Sequence, residues 1–311
     1  MSKKFLEDTI TKIKENDYSW NLYFFRTDKR MNNPFSVCKA KFLDTNYVKE
    51  YAGNLLDATQ KFQINTISDV QEYDGENTKI SCDKLELSDT LINEQWNNLF
   101  SAVSVATSDK LKGKIVGYIL CAEPQNNNDL KPITFIKIAN PVIDMNTKKS
   151  VVYKMRDTSN ELEMFDDDIY RLYLTVDCII VNEKMYSFNH SFEKIFNIES
   201  AMKRKRDEVI SEVAQIDAFA ESDDFLHYAK QYKSHRTFIT VKQERIEKIK
   251  TKEGREYVSN KLNIPLDENG KFVFQNEKQA RNLIKYLCYK IIQDEETMDL
   301  LEVGTVVKIE I

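Results

Sequence analysis

Four aspartates near the middle of the chain have the residue type and spacing that a metal-dependent nuclease uses. Asp166, Asp167 and Asp168 are consecutive, and Asp177 lies on the strand predicted next. In such enzymes two carboxylates hold Mg²⁺ and a nearby ammonium group steadies the developing charge. The matching acid-x-Lys spacing occurs at Asp129–Lys131, but it is common by chance. A solvated acidic strand end is therefore the favoured interpretation, and a nuclease centred on these aspartates is the alternative.

Other catalytic and metal-binding motifs are absent from the sequence. The three histidines, His190, His227 and His235, do not pair with one another or with a cysteine at the spacing of metal ligands. No Gly-x-Ser-x-Gly motif and no glycine-rich phosphate loop occurs, and the whole chain has only 7 glycines. The sequence therefore predicts no catalytic residue, no metal and no cofactor.

Basic residues are concentrated in two stretches of the C-terminal half, although the chain carries a formal net charge of −5. A local cluster of cations can bind a polyanion whatever the net charge of the protein. Aromatic side chains, which suit base stacking between phosphate contacts, are interleaved with the second stretch at Tyr228, Tyr232, His235 and Phe238. The cations predicted to contact DNA phosphates are Lys203, Arg204, Lys205, Arg206, Lys230, Lys233, Arg236, Lys242, Arg245 and Lys248.

A single helix predicted over residues 242–262 separates cations from apolar side chains. Its basic positions recur at steps of three and four and so share one face, namely Arg245, Lys248, Lys252 and Arg255. Ile246 and Ile249 share another face, which should pack against the protein. The same cations would attract an acidic protein or an anionic membrane surface. A non-catalytic adaptor that docks a membrane protein is therefore a further alternative.

Length and composition indicate a folded intracellular protein of two domains. At 311 residues the chain is long enough for an N-terminal α+β domain over 1–145 and a C-terminal domain with the basic helices over 146–311, with a rival boundary near 110. The five cysteines are far apart and never in Cys-x-x-Cys spacing, which is typical of a reducing cytosol. The longest apolar run, 115–122, is far shorter than the ~20 residues of a membrane span.

Hydrophobic periodicity predicts an α+β fold: a mixed N-terminal α/β part, a central strand meander and a helical C-terminal part with a terminal strand. A tight turn at Asn182–Glu183 joins two strands of the meander. Ser88 is the predicted N-cap of one helix. The predicted helices cover 3–15, 47–62, 88–103, most of 192–216, 222–233, 242–262 and 280–292. The predicted strands cover 20–26, 35–43, 67–73, 80–87, 115–122, 133–139, 151–155, 169–181, 184–188, 272–274 and 303–311.

The segment VDCIIVNEKMYSFNHSFEKIFNIES resembles the core of a bacterial family defined by a domain of unknown function, which includes the soluble protein of the Kiwa anti-phage system. In that family an Asp-initiated strand is followed by a short Tyr-containing strand and a helix that starts Phe-Glu-x-x-Phe. The matching positions are Asp177, Ile179, Tyr186, Phe188, Phe192, Glu193 and Phe196. The resemblance extends over roughly residues 110–305. The matching residues themselves look structural, with the phenylalanines filling a core.

The resemblance implies a function that composition and spacing do not. It implies a cytoplasmic anti-phage defence protein that binds DNA non-specifically and interferes with phage replication or transcription. It also implies recruitment to the inner membrane by a small multi-spanning membrane protein of the same system, and a homo-oligomer, either a dimer or a dimer of dimers. The basic helices are the sequence feature that independently points to DNA.

Overall fold

An eight-stranded sheet organises the first of two units into which the chain divides, with the division after Asn197. Among the described residues, unit 1 comprises those up to Asn197 and unit 2 those from Ile198 onward. The structure is a computed structural model that describes residues 3–28, 30–73, 81–109, 111, 113–125, 130–143, 153–155, 162–164, 169–231, 235–293 and 300–302. The mixture of a multi-stranded sheet with C-terminal helices confirms the predicted α+β class.

Unit 1 contains four α-helices and twelve strands among its described residues, together with a 3-10 turn at Ile64–Thr66. The helices are α1 Lys3–Glu15, α2 Thr45–Phe62, α3 Asn93–Ser104 and α4 Phe192–Ile195. The strands are β1 Tyr18–Thr27, β2 Phe35–Lys39, β3 Asp69–Glu72, β4 Ser81–Glu86, β5 Gly117–Pro124, β6 Ile133–Lys137, β7 Val142–Ile143, β8 Tyr153–Met155, β9 Leu162–Met164, β10 Ile169–Tyr170, β11 Cys178–Val181 and β12 Lys184–Ser187.

The main sheet has the strand order β2-β1-β5-β6-β11-β12-β4-β3. Neighbouring strands are antiparallel except for β3 and β4, which pair in parallel. Two small antiparallel ladders, β7 with β10 and β8 with β9, lie outside this sheet. The tight turn between β11 and β12 is confirmed, because Asn182 and Glu183 have φ of 52° and 59°, the left-handed geometry of a two-residue hairpin turn.

Helices α1 and α2 pack on the sheet of unit 1 and form its core. The buried residues of α1, Leu6, Ile10 and Ile13, recur at steps of four and three, which places them on one face of the helix. They join Leu55 of α2 and Phe135 of β6 in one apolar cluster. Each buried side chain of this size contributes about 2 kcal/mol of transfer free energy. The phenylalanines of the resembling segment, Phe192 and Phe196, are buried as predicted.

Unit 2 is helical in its described part, apart from one short hairpin. Its elements are α5 Ile198–Ala214, α6 Ser222–Gln231, a 3-10 turn His235–Thr240, α7 Gln243–Lys250, α8 Lys252–Leu262, α9 Glu277–Leu287, β13 Ile291–Gln293 and β14 Leu300–Glu302. The aromatic centre of its core is a stack of Phe219 on Phe225, with ring centroids 4.6 Å apart, and Phe274 lies 5.8 Å from Phe219. The apolar sides of the helices pack around these rings.

Two predicted continuous elements are interrupted in the structure. The single helix predicted over 242–262 is wrong, because α7 ends at Lys250 and Thr251 caps α8 by accepting a hydrogen bond from Gly254 N at 3.1 Å. The helical run after Ser191 also breaks, at Asn197, whose φ is 52°. Helix α3 starts at Asn93 after Ile92, so Ser88 is not its N-cap.

The strand predicted over 169–181 is wrong as one element, because β10 and β11 belong to different sheets. Between β10 and β11, side chains rather than a neighbouring strand make hydrogen bonds with the backbone. Tyr173 N donates to Tyr118 Oη at 2.6 Å, and the Gln63 amide bonds both Val176 N, at 2.8 Å, and Val176 O, at 2.7 Å. Residues 272–274 likewise form only isolated bridges through Phe272. Both predicted domain boundaries and the strand predicted at 303–311 lie outside the described residues.

None of the helices in the described part of the chain combines the length and the apolarity needed to cross a membrane.

Replacement of Gly254 by alanine should destabilise unit 2 by about 3 kcal/mol, since overpacking of this kind forces the backbone to move. A Cβ at this position would meet Lys248 O at 1.7 Å, at the junction of α7 and α8. The matched control is Gly53→Ala in α2, where a Cβ would meet nothing within 4 Å. That variant should gain about 0.5 to 1 kcal/mol from helix propensity.

Urea titration measures both changes. The only two tryptophans, Trp20 and Trp96, lie in unit 1, so tryptophan fluorescence follows unit 1 while far-ultraviolet circular dichroism follows both units. An unfolding midpoint for Gly254→Ala equal to that of the parent would contradict the predicted crowding at the helix junction.

Candidate functional site

The carboxylate of Asp177, at the start of β11, is buried and its hydrogen-bonding capacity is used by the protein itself. Asn189 Nδ2 and Lys137 Nζ donate to Oδ1 at 2.6 Å and 3.1 Å, and Ile138 N donates to Oδ2 at 2.6 Å. Asp177 is only 3% exposed. A buried carboxylate needs such partners to offset its lost hydration. The structure therefore gives Asp177 the role of tying β6 to the segment after β12.

The other aspartates of the predicted nuclease site, Asp166, Asp167 and Asp168, lie outside the described residues, and so does Asp129. Within the described residues, no three His, Cys, Asp or Glu side chains are grouped so that they could hold a metal ion. The described part of the chain thus offers no ligand that would join Asp177 at a metal.

His190 is the centre of a second charged cluster in unit 1. Its Nε2 lies 2.9 Å from Asp83 Oδ2, and its Nδ1 lies 2.6 Å from Glu193 Oε1. Tyr73 Oη donates to the same Glu193 oxygen at 2.7 Å, and Gln71 Nε2 donates to Asp83 Oδ1 at 3.0 Å. The cluster therefore joins β3, β4 and the first turn of α4.

These two carboxylates, acting through hydrogen bonds to the ring, raise the pKa of His190 from 6.5 to about 9. At neutral pH the imidazolium is therefore doubly protonated and both ring nitrogens donate. It has no lone pair with which to act as a base, and the geometry is that of a structural ion pair within unit 1.

The first basic stretch lies on α5 of unit 2. Lys203 and Arg204 are exposed, while Lys205 and Arg206 are half-buried. Two of the four have acidic neighbours: Lys203 Nζ lies 2.8 Å from Glu199 Oε1, and Arg206 Nη2 lies 2.5 Å from Asp207 Oδ1. The run of four cations is therefore partly neutralised by acids on the same helix.

His235 brings α5 and the start of the second basic stretch together. Arg206 Nη1 lies 3.1 Å from His235 Nδ1. Burial and the neighbouring Arg206 and Lys203 lower the pKa of His235, so the ring is neutral at pH 7 and Nδ1 accepts the hydrogen bond. Arg236 is adjacent in sequence and exposed, and its charge helps to lower the pKa of Glu199 after the larger effect of Lys203. Arg236 and the α5 cations therefore share one region of unit 2.

The remaining predicted cations are distributed over α6 and α7. Lys230 is exposed near the end of α6, and Lys233 lies outside the described residues. Lys242, the N-cap residue of α7, and Lys248 are exposed, and Arg245 is half-buried. Gln243 Nε2 donates to Glu212 Oε1 at 2.9 Å, which places the start of α7 beside the end of α5. The structure thus brings the α5, Arg236 and α7 cations into neighbouring elements.

Arg245 has a structural role in addition to its charge. Its Nη1 donates to the backbone oxygen of Tyr286, in the last turn of α9, and to that of Ile291, in β13, at 3.3 Å. The guanidinium carbon lies 4.4 Å from the ring centroid of Tyr286 and 4.2 Å from that of Tyr289. Arg255, predicted to share its face, is buried and donates to the backbone oxygens of Gly270, Ile249 and Lys250. The predicted face of four aligned cations is therefore wrong.

Two exposed tyrosines lie among the cations of α7 and α8. Tyr257 is 46% exposed and has Lys248 Nζ 3.4 Å and Lys261 Nζ 5.7 Å from its ring centroid. Tyr289 is 43% exposed and has Lys242 Nζ 5.9 Å from its ring centroid, in addition to Arg245. We call the following six residues the cation–tyrosine patch: Lys242, Arg245, Lys248, Tyr257, Lys261 and Tyr289.

The aromatic residues predicted from sequence are not those that the structure exposes. Phe238 is buried in the core, Tyr228 packs against that core, and Tyr232 lies outside the described residues. Sequence reasoning missed Tyr257 and Tyr289 as partners of the cations. The Tyr257–Lys261 pair is four residues apart within one helix and was a usable signal, whereas Tyr289 meets α7 only through the tertiary fold.

Comparison with known families identifies a match over the central and C-terminal parts of the chain. The sequence model of the family described as Kiwa protein KwaB-like matches residues 126–293, which is more than half of the 311-residue chain. The match contains the Asp177–Phe196 segment on which the resemblance rests and confirms that resemblance. No curated protein and no solved structure matches this chain.

Unit 1 should lose the stabilisation provided by His190 as the pH rises. The folded pKa of about 9 is above the usual 6.5, so this stabilisation is fully present below pH 6.5 and is lost as the pH rises through 9. At pH 6, His190→Gln should cost about 2 kcal/mol after allowance for solvent screening, and near pH 10 the cost should be much smaller.

The difference in urea midpoint between the parent and His190→Gln, followed by tryptophan fluorescence, measures this effect. Ionisation of the buried cysteines at high pH affects both proteins equally and therefore cancels in the difference. Lys49→Gln, which removes an exposed positive charge from α2 of the same unit, is the control and should change stability by less than about 0.5 kcal/mol at either pH. A constant difference from pH 6 to pH 10 would show that His190 is not held as an imidazolium.

Proposed function

This chain belongs to the Kiwa protein KwaB-like family, whose membership implies a role in anti-phage defence, and we propose that it performs this role by binding DNA through unit 2. The proposed ligand contacts are phosphates, bound without regard to base sequence. Coverage of phage DNA in this way would interfere with its replication or transcription.

The observation that carries the proposal is the environment of the cations in the cation–tyrosine patch. In the described part of the chain these cationic groups lie against tyrosine rings, at 3.4 to 5.9 Å from the ring centroids, and none is in a salt bridge. A cation over an aromatic ring keeps its full charge, whereas a cation beside a carboxylate is neutralised. The patch therefore presents positive charge to a polyanion from an otherwise acidic protein.

The basic run of α5 can extend this surface. Its ion pairs are exposed, since Lys203 and Glu199 keep 49% and 76% of their side-chain surface. Exposed pairs of this kind contribute about 1 kcal/mol or less, so a phosphate can replace the carboxylate at little cost. Lys203, Arg204 and Arg236 then add contacts beside those of α7. Lys230 and Lys233 remain proposed contacts because they belong to the second basic stretch of the sequence.

We also propose the partners that family membership suggests. The protein would be cytoplasmic and recruited to the inner membrane by a small multi-spanning membrane protein of the same defence system. It would assemble as a homo-oligomer, either a dimer or a dimer of dimers. Co-purification with that membrane protein tests the first statement, and light scattering of the purified protein across a range of concentrations tests the second.

Two other functions use the same molecule differently. A metal-dependent nuclease has little support, because the Asp177 carboxylate already has three donors. A non-catalytic adaptor would use the basic surface to dock an acidic protein or lipid headgroups. Incubation of plasmid with the protein and Mg²⁺ separates these functions: cleavage identifies the nuclease, retention of intact DNA supports the proposal, and absence of binding favours the adaptor.

Reversal of charge at Lys242 and Lys248 should weaken DNA binding about a hundredfold at 0.1 M salt, since each lost phosphate contact is worth roughly tenfold there. The slope of log affinity against log salt should fall by about 2, and all duplex sequences should be affected equally. Arg245 is left intact because its backbone hydrogen bonds support the fold.

The matched control is Lys12→Glu with Lys49→Glu, which makes the same change in net charge at exposed positions of α1 and α2. Fluorescence anisotropy of a labelled duplex from 50 to 200 mM salt gives both affinity and slope. Equal weakening by the two double variants would show that net charge alone matters and would remove α7 from the proposal.

A further inference from the structure

We infer that the cation–tyrosine patch binds unpaired bases together with phosphates, so that single-stranded DNA is its preferred ligand. The inference rests on the proposed DNA binding and specifies the form of the nucleic acid. In this assignment Tyr257 and Tyr289 each stack on a base, and the lysines and Arg245 contact the adjoining phosphates. Such a combination of aromatic surfaces and cations is what sequence-tolerant binding of single strands requires.

Tyr257 is held in place by α7 while much of its surface stays open. It projects from α8, is 46% exposed, and has Lys248 Nζ 3.4 Å from the ring centroid. The ammonium group over the ring limits the rotation of the side chain. A ring that is already ordered loses less entropy when a base stacks on it. The same lysine lies close enough to contact the phosphate of the stacked nucleotide.

Tyr289 occupies a backbone position at which a tyrosine is costly. The end of α9 is a Schellman motif, in which Lys290 N donates to Lys285 O at 2.8 Å and Tyr289 N donates to Tyr286 O at 3.1 Å. The residue in the middle of this motif has φ of 57°, in the left-handed region where glycine is usual. A tyrosine there costs on the order of 1 kcal/mol of backbone strain. Backbone strain at a residue whose exposed side chain packs on Arg245 points to a function for that side chain, here in binding.

The two tyrosine rings form one binding surface because side chains of α7 contact both of them. Arg245 contacts Tyr289 and Lys248 contacts Tyr257, and these two cations are three residues apart on one face of the helix. The buried Tyr286 lies near both groups: it packs on Arg245, and its pKa is raised mainly by burial, with a lowering effect of Arg245 and a raising effect of Tyr257. The bases of neighbouring nucleotides in one strand can therefore stack on the two rings.

Duplex DNA cannot use these rings in the same way. In a duplex the faces of the bases are stacked on one another and only their edges are accessible in the grooves. The tyrosines therefore add affinity for a single strand and none for a duplex, while the cations attract both. Non-specific interference with replication or transcription, both of which expose single strands, is consistent with such a preference.

The test compares oligothymidylate of about 16 nucleotides with an abasic strand that has the same number of phosphates. The full-length protein should bind oligothymidylate at least tenfold more tightly than the abasic strand. The double variant Tyr257→Leu with Tyr289→Leu should lose this difference and bind both strands equally. Tyr257→Phe with Tyr289→Phe keeps the rings and should retain it. Tyr47→Leu, at an exposed tyrosine of unit 1, is the matched control and should bind as the parent does.

Each result decides a different statement. Equal binding of the two strands by the parent protein, with normal salt dependence, would overturn the stacking inference and leave the proposed phosphate binding intact. Tighter binding of oligouridylate than of oligothymidylate would overturn the assignment to DNA. Binding of neither strand and no duplex would remove the proposed function itself. Circular dichroism of every variant establishes that the loss of binding is not a loss of folding.

Discussion

The contacts of Arg245 determine the form of the basic surface of unit 2. The guanidinium lies against the rings of Tyr286 and Tyr289 and donates to the carbonyls of Tyr286, in the last turn of α9, and Ile291, in β13. One cation thereby fixes α7 against the end of α9 and against β13, and orders an exposed ring. A lysine could supply the charge but not this planar arrangement of donors. The positions of Lys242 and Lys248 relative to the tyrosines follow from the helix that Arg245 anchors.

The buried charges of unit 1 differ from the cations of this surface, because each has hydrogen-bonding partners of complementary charge or polarity within the fold. Asp177 has three donors, and His190 has a carboxylate on each ring nitrogen. A buried charge without partners would cost several kcal/mol, so charges that are fully paired are expected where their role is structural. Groups of this kind resemble catalytic residues in a sequence, because acids and histidines near strand ends are also what an active site needs. Only the geometry distinguishes the two cases.

The sequence predicts those elements whose formation depends on near neighbours. The amphipathic helices α1 and α2 and the hairpin turn at Asn182–Glu183 agree with their predictions, because periodicity and turn chemistry are local properties. The break at Thr251 is a local cap that the apolar periodicity of 242–262 does not reveal. The separation of β10 from β11 depends instead on long-range contacts such as those of Gln63 with Val176. For the same reason the basic residues could be found from sequence, while the pairing of Lys248 with Tyr257 and of Arg245 with Tyr289 could not.

Local environment also explains how a chain with a net charge of −5 is compatible with the proposed binding of a polyanion. At physiological ionic strength charges are screened over about 8 Å, so acids elsewhere on the protein repel DNA only weakly. A phosphate in contact with Lys242 or Lys248 lies well within about 8 Å of the ammonium group, so this attraction is screened much less. What matters is whether a carboxylate neutralises the cation at close range, and in the cation–tyrosine patch the near neighbours are aromatic rings. The α5 cations are partly paired with acids, whereas Lys242, Arg245 and Lys248 face tyrosines. For the proposed binding, this difference in environment matters more than the count of basic residues in either stretch.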